Sequence, residues 1–194
     1  MSGSSTFDTD FAAYASQLVS YYNSPNGFMD GNGMQHKSAS GTPIKLWGIF
    51  NEPNYHNLDS AAYTTLYNTV VPSMQALDST LQFVAVELGD FPGEADTFLP
   101  AFVTGVTAPV NALATHFYSS CNQKDTDQQV FSTVPTFATE VERIYANLAA
   151  NPALATVPVW VTENNVNADF ANAQGRKLLT EISAYIPYMT GWVT

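Results

Sequence analysis

Helix-period and strand-like segments alternate along this chain from end to end, and that alternation constrains its fold more than any other feature. Asp8 to Asn23 carries Phe11, Tyr14, Ala15, Leu18, Val19 and Tyr22 at the i, i+3, i+4 spacing of an amphipathic helix. Asn23 to Thr42 is rich in Gly, Asn, Ser and Pro and reads as a long loop. Lys45 to Phe50 then predicts a buried strand running into Asn51-Glu52-Pro53-Asn54. Further helices are expected over Asp59–Ser79, Ala95–Gly105, Val130–Asn151 and Asp169–Ile186, the first of them kinked or divided at Pro72. The strands between them fall at Leu81–Leu88, Val110–Tyr118 and Thr156–Thr162, with a last one beginning in Tyr188–Thr194.

Such alternation calls for parallel strands joined by right-handed helical crossovers, in a single α/β domain covering residues 1–194. Apolar runs without two-fold alternation suit strands buried on both faces. A (β/α) barrel and an open doubly wound sheet both satisfy the pattern, and periodicity does not choose between them. No Gly-rich phosphate loop follows any strand, which argues against a nucleotide site. Charged residues make up only 12% of the chain against 45% hydrophobic, the reverse of a disordered composition. No segment approaches the ~18 apolar residues of a membrane helix, so no membrane association is expected. Seventeen acidic against six basic residues give a net charge of −11, which repels a phosphate backbone and makes nucleic acid an unexpected partner. The single cysteine, Cys121, precludes an internal disulfide. The first residues have neither a basic start nor an apolar stretch, so no signal peptide is read there and the localisation stays open.

Polar residues gather where each strand stops: Asn51 and Glu52, Glu87 and Asp90, His116 and Tyr118, Glu163 and Asn164. In parallel α/β folds those ends lie on one side, where active sites are built. Glu52 and Glu163 stand out, because each closes a strand too apolar to place a carboxylate there for solvation. Two carboxylates flanking one bond are what glycoside hydrolysis requires: about 5–5.5 Å apart for retention, about 6.5–9.5 Å where an inverting water must fit. Trp47 and Trp160 read as core residues. His36, His56 and His116 have no ligand spacing among themselves, so neither a metal nor a cofactor is expected. The absence of a Gly-x-Ser-x-Gly elbow weakens a serine-esterase reading.

Trp47-Gly48-Ile49-Phe50-Asn51-Glu52-Pro53-Asn54 resembles the Asn-Glu-Pro motif that ends the fourth barrel strand of clan A glycoside hydrolases. Val159-Trp160-Val161-Thr162-Glu163-Asn164 resembles the segment carrying the nucleophile on their seventh strand, and His116-x-Tyr118 matches the sixth. Within the clan the chain looks most like the family 39 type or a related cellulase-like family. The resemblance implies parallel (β/α) repeats of a TIM barrel, strands four to seven or eight, and thus a partial barrel of about half. It implies a retaining double displacement on β-linked sugars in an oligo- or polysaccharide or glycoside. Glu52 would be the general acid/base, Glu163 the nucleophile, and Asn51 the partner of the sugar 2-hydroxyl. Tyr118 would orient Glu163, His116 and Asn164 would line the pocket, and Trp192 would stack on a sugar ring.

A complete barrel takes about 250 residues. A half-barrel exposes two strand edges and an apolar interior, so a homo-oligomer or a place within a larger barrel is expected. Secretion is plausible for such a family. Two other readings stay open: a non-catalytic carbohydrate-binding barrel fragment, and an esterase-type hydrolase using the same cleft.

Overall fold

The computed structural model describes residues 5–89, 94–122 and 124–168. Helix α1 (Ser5–Asn23) opens the chain, followed by a short antiparallel pair, β1 (Phe28–Met29) and β2 (Gln35–His36). Strand β3 (Leu46–Gly48) leads through a 3-10 turn at Pro53–Tyr55 into α2 (Ser60–Gln75). Then come β4 (Gln82–Leu88), α3 (Glu94–Gly105), β5 (Ala112–Tyr118), α4 (Asp127–Ser132), α5 (Val134–Leu148) and β6 (Val159–Asn165). Side chains set several of these boundaries. The Asp59 carboxylate accepts from the Ala62 N–H at 2.8 Å and starts α2, while Thr126 and Gln129 form a reciprocal capping box that starts α4.

Strands β3, β4, β5 and β6 form one sheet in that order, every pair parallel. A doubly wound sheet reverses its order at a switch point. This one does not, and α1, α2, α3 and α5 pack each on the next in a row. The architecture is therefore a parallel half-barrel, with its helices outside. Tyr63, Leu66, Tyr67, Val70 and Met74 of α2 and Phe98, Leu99 and Phe102 of α3 bury against Phe83, Ala85 and Leu113 of the sheet. Each such side chain contributes about 1.5–3 kcal/mol on burial. A smaller core gathers Phe117, Val130, Val134, Phe137 and Val166. On the other face of the sheet Val84, Ala112 and Ala114 make a minor apolar cluster.

Several expectations are corrected. The loop from Asn23 to Thr42 contains the β1–β2 pair. The first barrel strand has three residues rather than six and is not buried, Leu46 being 43% exposed. Helix α2 runs through Pro72 undivided and stops three residues later, leaving Leu77 exposed. The long helix from Val130 is two helices meeting at Thr133, because Pro135 sits in the first turn of the second, where its missing N–H costs nothing. Trp160, expected in the core, is 38% exposed. The last sheet strand runs to Asn165, so Glu163 lies within it. No helix among the described residues is long and apolar enough to cross a membrane. Asp90, Trp192, the helix expected at Asp169–Ile186 and the strand expected in Tyr188–Thr194 lie outside the described residues.

Candidate active site

The carboxyl ends of β3 and β4 are bent in the same way. Phe50 (φ 70°) and Glu52 (φ 47°) after β3, and Val86 (φ 76°) and Glu87 (φ 47°) in β4, all have positive φ without being glycine. Such conformations cost about 1–3 kcal/mol each and persist only where surrounding contacts hold them. Here the buried Tyr63 hydroxyl donates to the Ile49 carbonyl at 3.0 Å and accepts the Val86 N–H at 2.7 Å. The Glu52 N–H donates to the Glu87 carbonyl at 3.0 Å. One turn further, the Asn54 amide pairs with both backbone polar groups of Gly89.

Strand β5 needs no bend. Its period of two puts Ala112, Ala114, His116 and Tyr118 on the face away from the helices, and Leu113 and Phe117 in the helix-side cores. The β5–β6 register shifts between Thr115 and His116, β6 carrying one residue more, so Glu163 pairs with His116 and Asn165 with Tyr118. Asn164 pairs with Phe117 and so falls on the helix-side face. This corrects its expected place in the pocket. The extra residue, Thr162, is what reverses the alternation.

Four side chains then meet, one from the turn after β3 and one from each of β4, β5 and β6. His116, 1% exposed, shares a hydrogen between Nδ1 and Glu52 Oε1 at 2.8 Å, and Nδ1 lies 3.6 Å from Glu163 Oε2. Its Nε2 faces Glu87 Oε2 at 3.6 Å. Glu87 Oε2 accepts from the Thr162 hydroxyl at 2.7 Å, and Glu163 Oε2 accepts from the Tyr118 hydroxyl at 2.8 Å. Burial disfavours the imidazolium, but the carboxylates of Glu87, Glu52 and Glu163 gathered around the ring outweigh it, so the pKa of His116 is raised. Burial, then the bond to Glu163 and the charges of Glu163 and Glu52, push the Tyr118 hydroxyl up to about 12. Tyr118 therefore stays a donor throughout the neutral range.

A cleft of about 230 Å³, lined by Gly48, Phe50, Asn51, Glu87, Thr162 and Glu163, opens above this cluster. Of the residues expected from the sequence, Glu52, His116, Tyr118 and Glu163 are brought together and Asn51 lines the cleft beside them. Glu87 had been visible only as one polar strand end among several, and Thr162 not at all. One oxygen each of Glu52 and Glu163 and a ring nitrogen of His116 lie within 4.8 Å of one another. The set can donate a proton from one carboxyl while a second, more open one meets an electrophile in the cleft, or it can hold a cation between them.

A family model described as the glycosyl hydrolase catalytic core matches residues 10–193. No curated protein sequence matches the chain significantly. Among solved structures, an α-L-arabinofuranosidase from Thermotoga maritima superposes with a TM-score of 0.61 at 17% identity, covering 79% of this chain and 32% of its own. A family 51 α-L-arabinofuranosidase from Bifidobacterium longum gives 0.59 at 14% identity, covering 79% and 33%. A glucosidase from Croceicoccus marinus gives 0.51 at 12%, covering 82% and 31%. The chain thus spans about a third of the length of each, and at these identities the likeness is one of fold.

Proposed function

The chain belongs to the glycosyl hydrolase catalytic core family, and from that premise we propose that it supplies the catalytic half of a retaining glycosidase acting on β-linked sugars. Glu163 is the nucleophile and Glu52 the general acid/base. The observation that carries the reading is the spacing of the two carboxylates. An oxygen of each lies within 4.8 Å of one of the other, on the side of the retaining separation of about 5–5.5 Å rather than the inverting one of about 6.5–9.5 Å.

In the first step Glu163 attacks the anomeric carbon and the leaving oxygen takes the proton of Glu52. In the second, Glu52 removes a proton from water, which attacks the same carbon and releases Glu163. Tyr118 supports this by holding Glu163 Oε2 and leaving its other oxygen to react. His116 fixes the Glu52 carboxyl through Nδ1 and is itself too buried to meet a sugar. Asn51, exposed at the cleft wall, is placed to bond a sugar hydroxyl.

The test is release from aryl β-xylosides, β-glucosides and α-L-arabinofuranosides by the parent and by Glu163→Gln, with the anomer of the first-formed sugar read by NMR. Retained configuration, and at least a ~10³-fold loss in the variant, are expected. An inverted product would sink the proposal. A second reading, sugar binding without turnover, rests on the short span of the chain and on Trp160, exposed on the sheet. It predicts that Glu163→Gln leaves sugar affinity unchanged and that no glycoside is cleaved.

A further inference from the structure

We infer that Glu52, His116 and Glu163 form a binding site for a divalent transition ion of the zinc class, across the mouth of the same cleft. Zinc takes imidazole nitrogen and carboxylate oxygen at about 2.0–2.2 Å, which sets neighbouring ligand atoms of a tetrahedral site about 3.3–3.5 Å apart. His116 Nδ1 lies 3.6 Å from Glu163 Oε2 and 2.8 Å from Glu52 Oε1, with all three atoms within 4.8 Å. Rotations of the two glutamates by a few tenths of an ångström to about one ångström close the shell. The ion takes the place of the hydrogen between His116 and Glu52. Three protein ligands leave a fourth position for a water or a sugar hydroxyl, and of the three it is Glu163 that lines the cleft of about 230 Å³ from which such a group would come.

The surroundings are those a metal ligand set uses. A ligating histidine turns its other nitrogen to a carboxylate, and ligating carboxylates are themselves hydrogen-bonded. His116 Nε2 faces Glu87 Oε2 at 3.6 Å, and Thr162 anchors that same oxygen at 2.7 Å. Tyr118 donates to Glu163 Oε2 at 2.8 Å. The imidazole is fully enclosed, so its ring is already oriented before an ion arrives. One nitrogen with two carboxylate oxygens favours zinc over magnesium, which prefers an all-oxygen octahedron and keeps its waters. A net charge of −11 raises the local cation concentration. No ligand spacing in the sequence announces such a site, because its members come from three different strand ends. An ion seated there ties up both carboxylates, so it would act as a competitive block on any chemistry they perform.

The test is calorimetric titration of zinc chloride into the chain at pH 7. Cys121→Ser and His36→Asn remove two exposed competitors, the free thiol and the His36–Asp30 pair at 3.0 Å. One equivalent of zinc is expected, with no heat from magnesium. Glu163→Gln, at a half-open position that tolerates the change, should weaken binding at least tenfold, and Glu87→Gln about 10–100-fold. Circular dichroism checks that both variants fold. Absence of zinc binding, or affinity unchanged in Glu163→Gln, overturns the inference. The readout needs no turnover: a chain that binds zinc but cleaves nothing leaves the site standing, and a chain that cleaves glycosides without binding zinc removes it while sparing the hydrolase reading.

Discussion

The hydroxyl of Tyr63 is the atom whose loss should be felt most widely. It is fully buried, donates to the Ile49 carbonyl at 3.0 Å and accepts the Val86 N–H at 2.7 Å. Those two backbone groups lie immediately before the positive-φ residues Phe50 and Glu87 or at one of them, Val86 itself. Tyr63→Phe keeps the ring among Tyr67, Phe98 and Phe102 and deletes only the oxygen. A buried donor and a buried acceptor are then both unpaired, at about 1–3 kcal/mol each, so the variant should lose roughly 2–6 kcal/mol. For a domain of this size that lowers Tm by about 2–4 °C per kcal/mol. Urea unfolding followed by circular dichroism measures it directly, and the slope m should be unchanged, since the surface exposed on unfolding is the same. A loss below about 1 kcal/mol would refute the argument that this hydroxyl holds the two bends. Burial, its main influence, raises the pKa of the same hydroxyl above the ordinary tyrosine value, so the latch stays protonated through the neutral range.

Gly48→Ala would bring a Cβ to 2.8 Å from Glu87 Oε1. Because the obstacle is the end of a flexible side chain, Tm should move little, while a crystal structure of the variant should have Glu87 pulled off Thr162; an intact 2.7 Å bond would contradict this. Asp78 is held below the usual carboxylate range by hydrogen bonds first from Lys45, then from Thr80 and Asn23. Its stabilisation is therefore present above its unfolded pKa of about 3.9 and lost as pH falls through the lower folded value. Asp78→Asn should cost about 1 kcal/mol at pH 7, discounted for the half-exposed Lys45, and the gap to the parent should close in acid; a gap that widens in acid would be the wrong sign. Leu46, Trp160 and Val161 are exposed on the two outer strands, so light scattering should find self-association, and a monodisperse monomer would count against it.

The α/β class was legible because α2, α3 and α5 bury stripes at helical spacing and β4 and β5 carry apolar runs, Phe83 to Val86 and Ala112 to Ala114, ahead of their polar ends. Strand order was not, since periodicity carries no information about which strand lies beside which. Lys45 to Phe50 reads as six strand residues, yet the ladder ends at Gly48 because Phe50 turns to positive φ, and nothing in a phenylalanine announces that. The break at Thr133 was missed, the expected helix running across it, although Pro135 was there to mark it. At the site, Glu52 and Glu163 were readable as carboxylates closing apolar runs. Glu87 was readable as a polar strand end but given no role, and Asn164 was expected in the pocket, because the faces of both depend on single extra residues in β4 and β6 that alternation alone does not locate.

Those two extra residues bear on how the chain length of such proteins can vary. β4 carries one residue more than β5 between Ala85 and Leu88, and β6 one more between Val161 and Glu163, at the same level on either side of the shorter strand. The segments they create meet: Thr162 binds Glu87. Losing Thr162 alone would restore a regular ladder and still leave Glu163 opposite His116, but would strand the Glu87 carboxylate without its hydroxyl. Losing the extra residue of β4 alone would do the converse. Single-residue deletions in these two strands should therefore occur together among related chains or not at all, and a chain lacking both would keep its two facing carboxylates and lose the third.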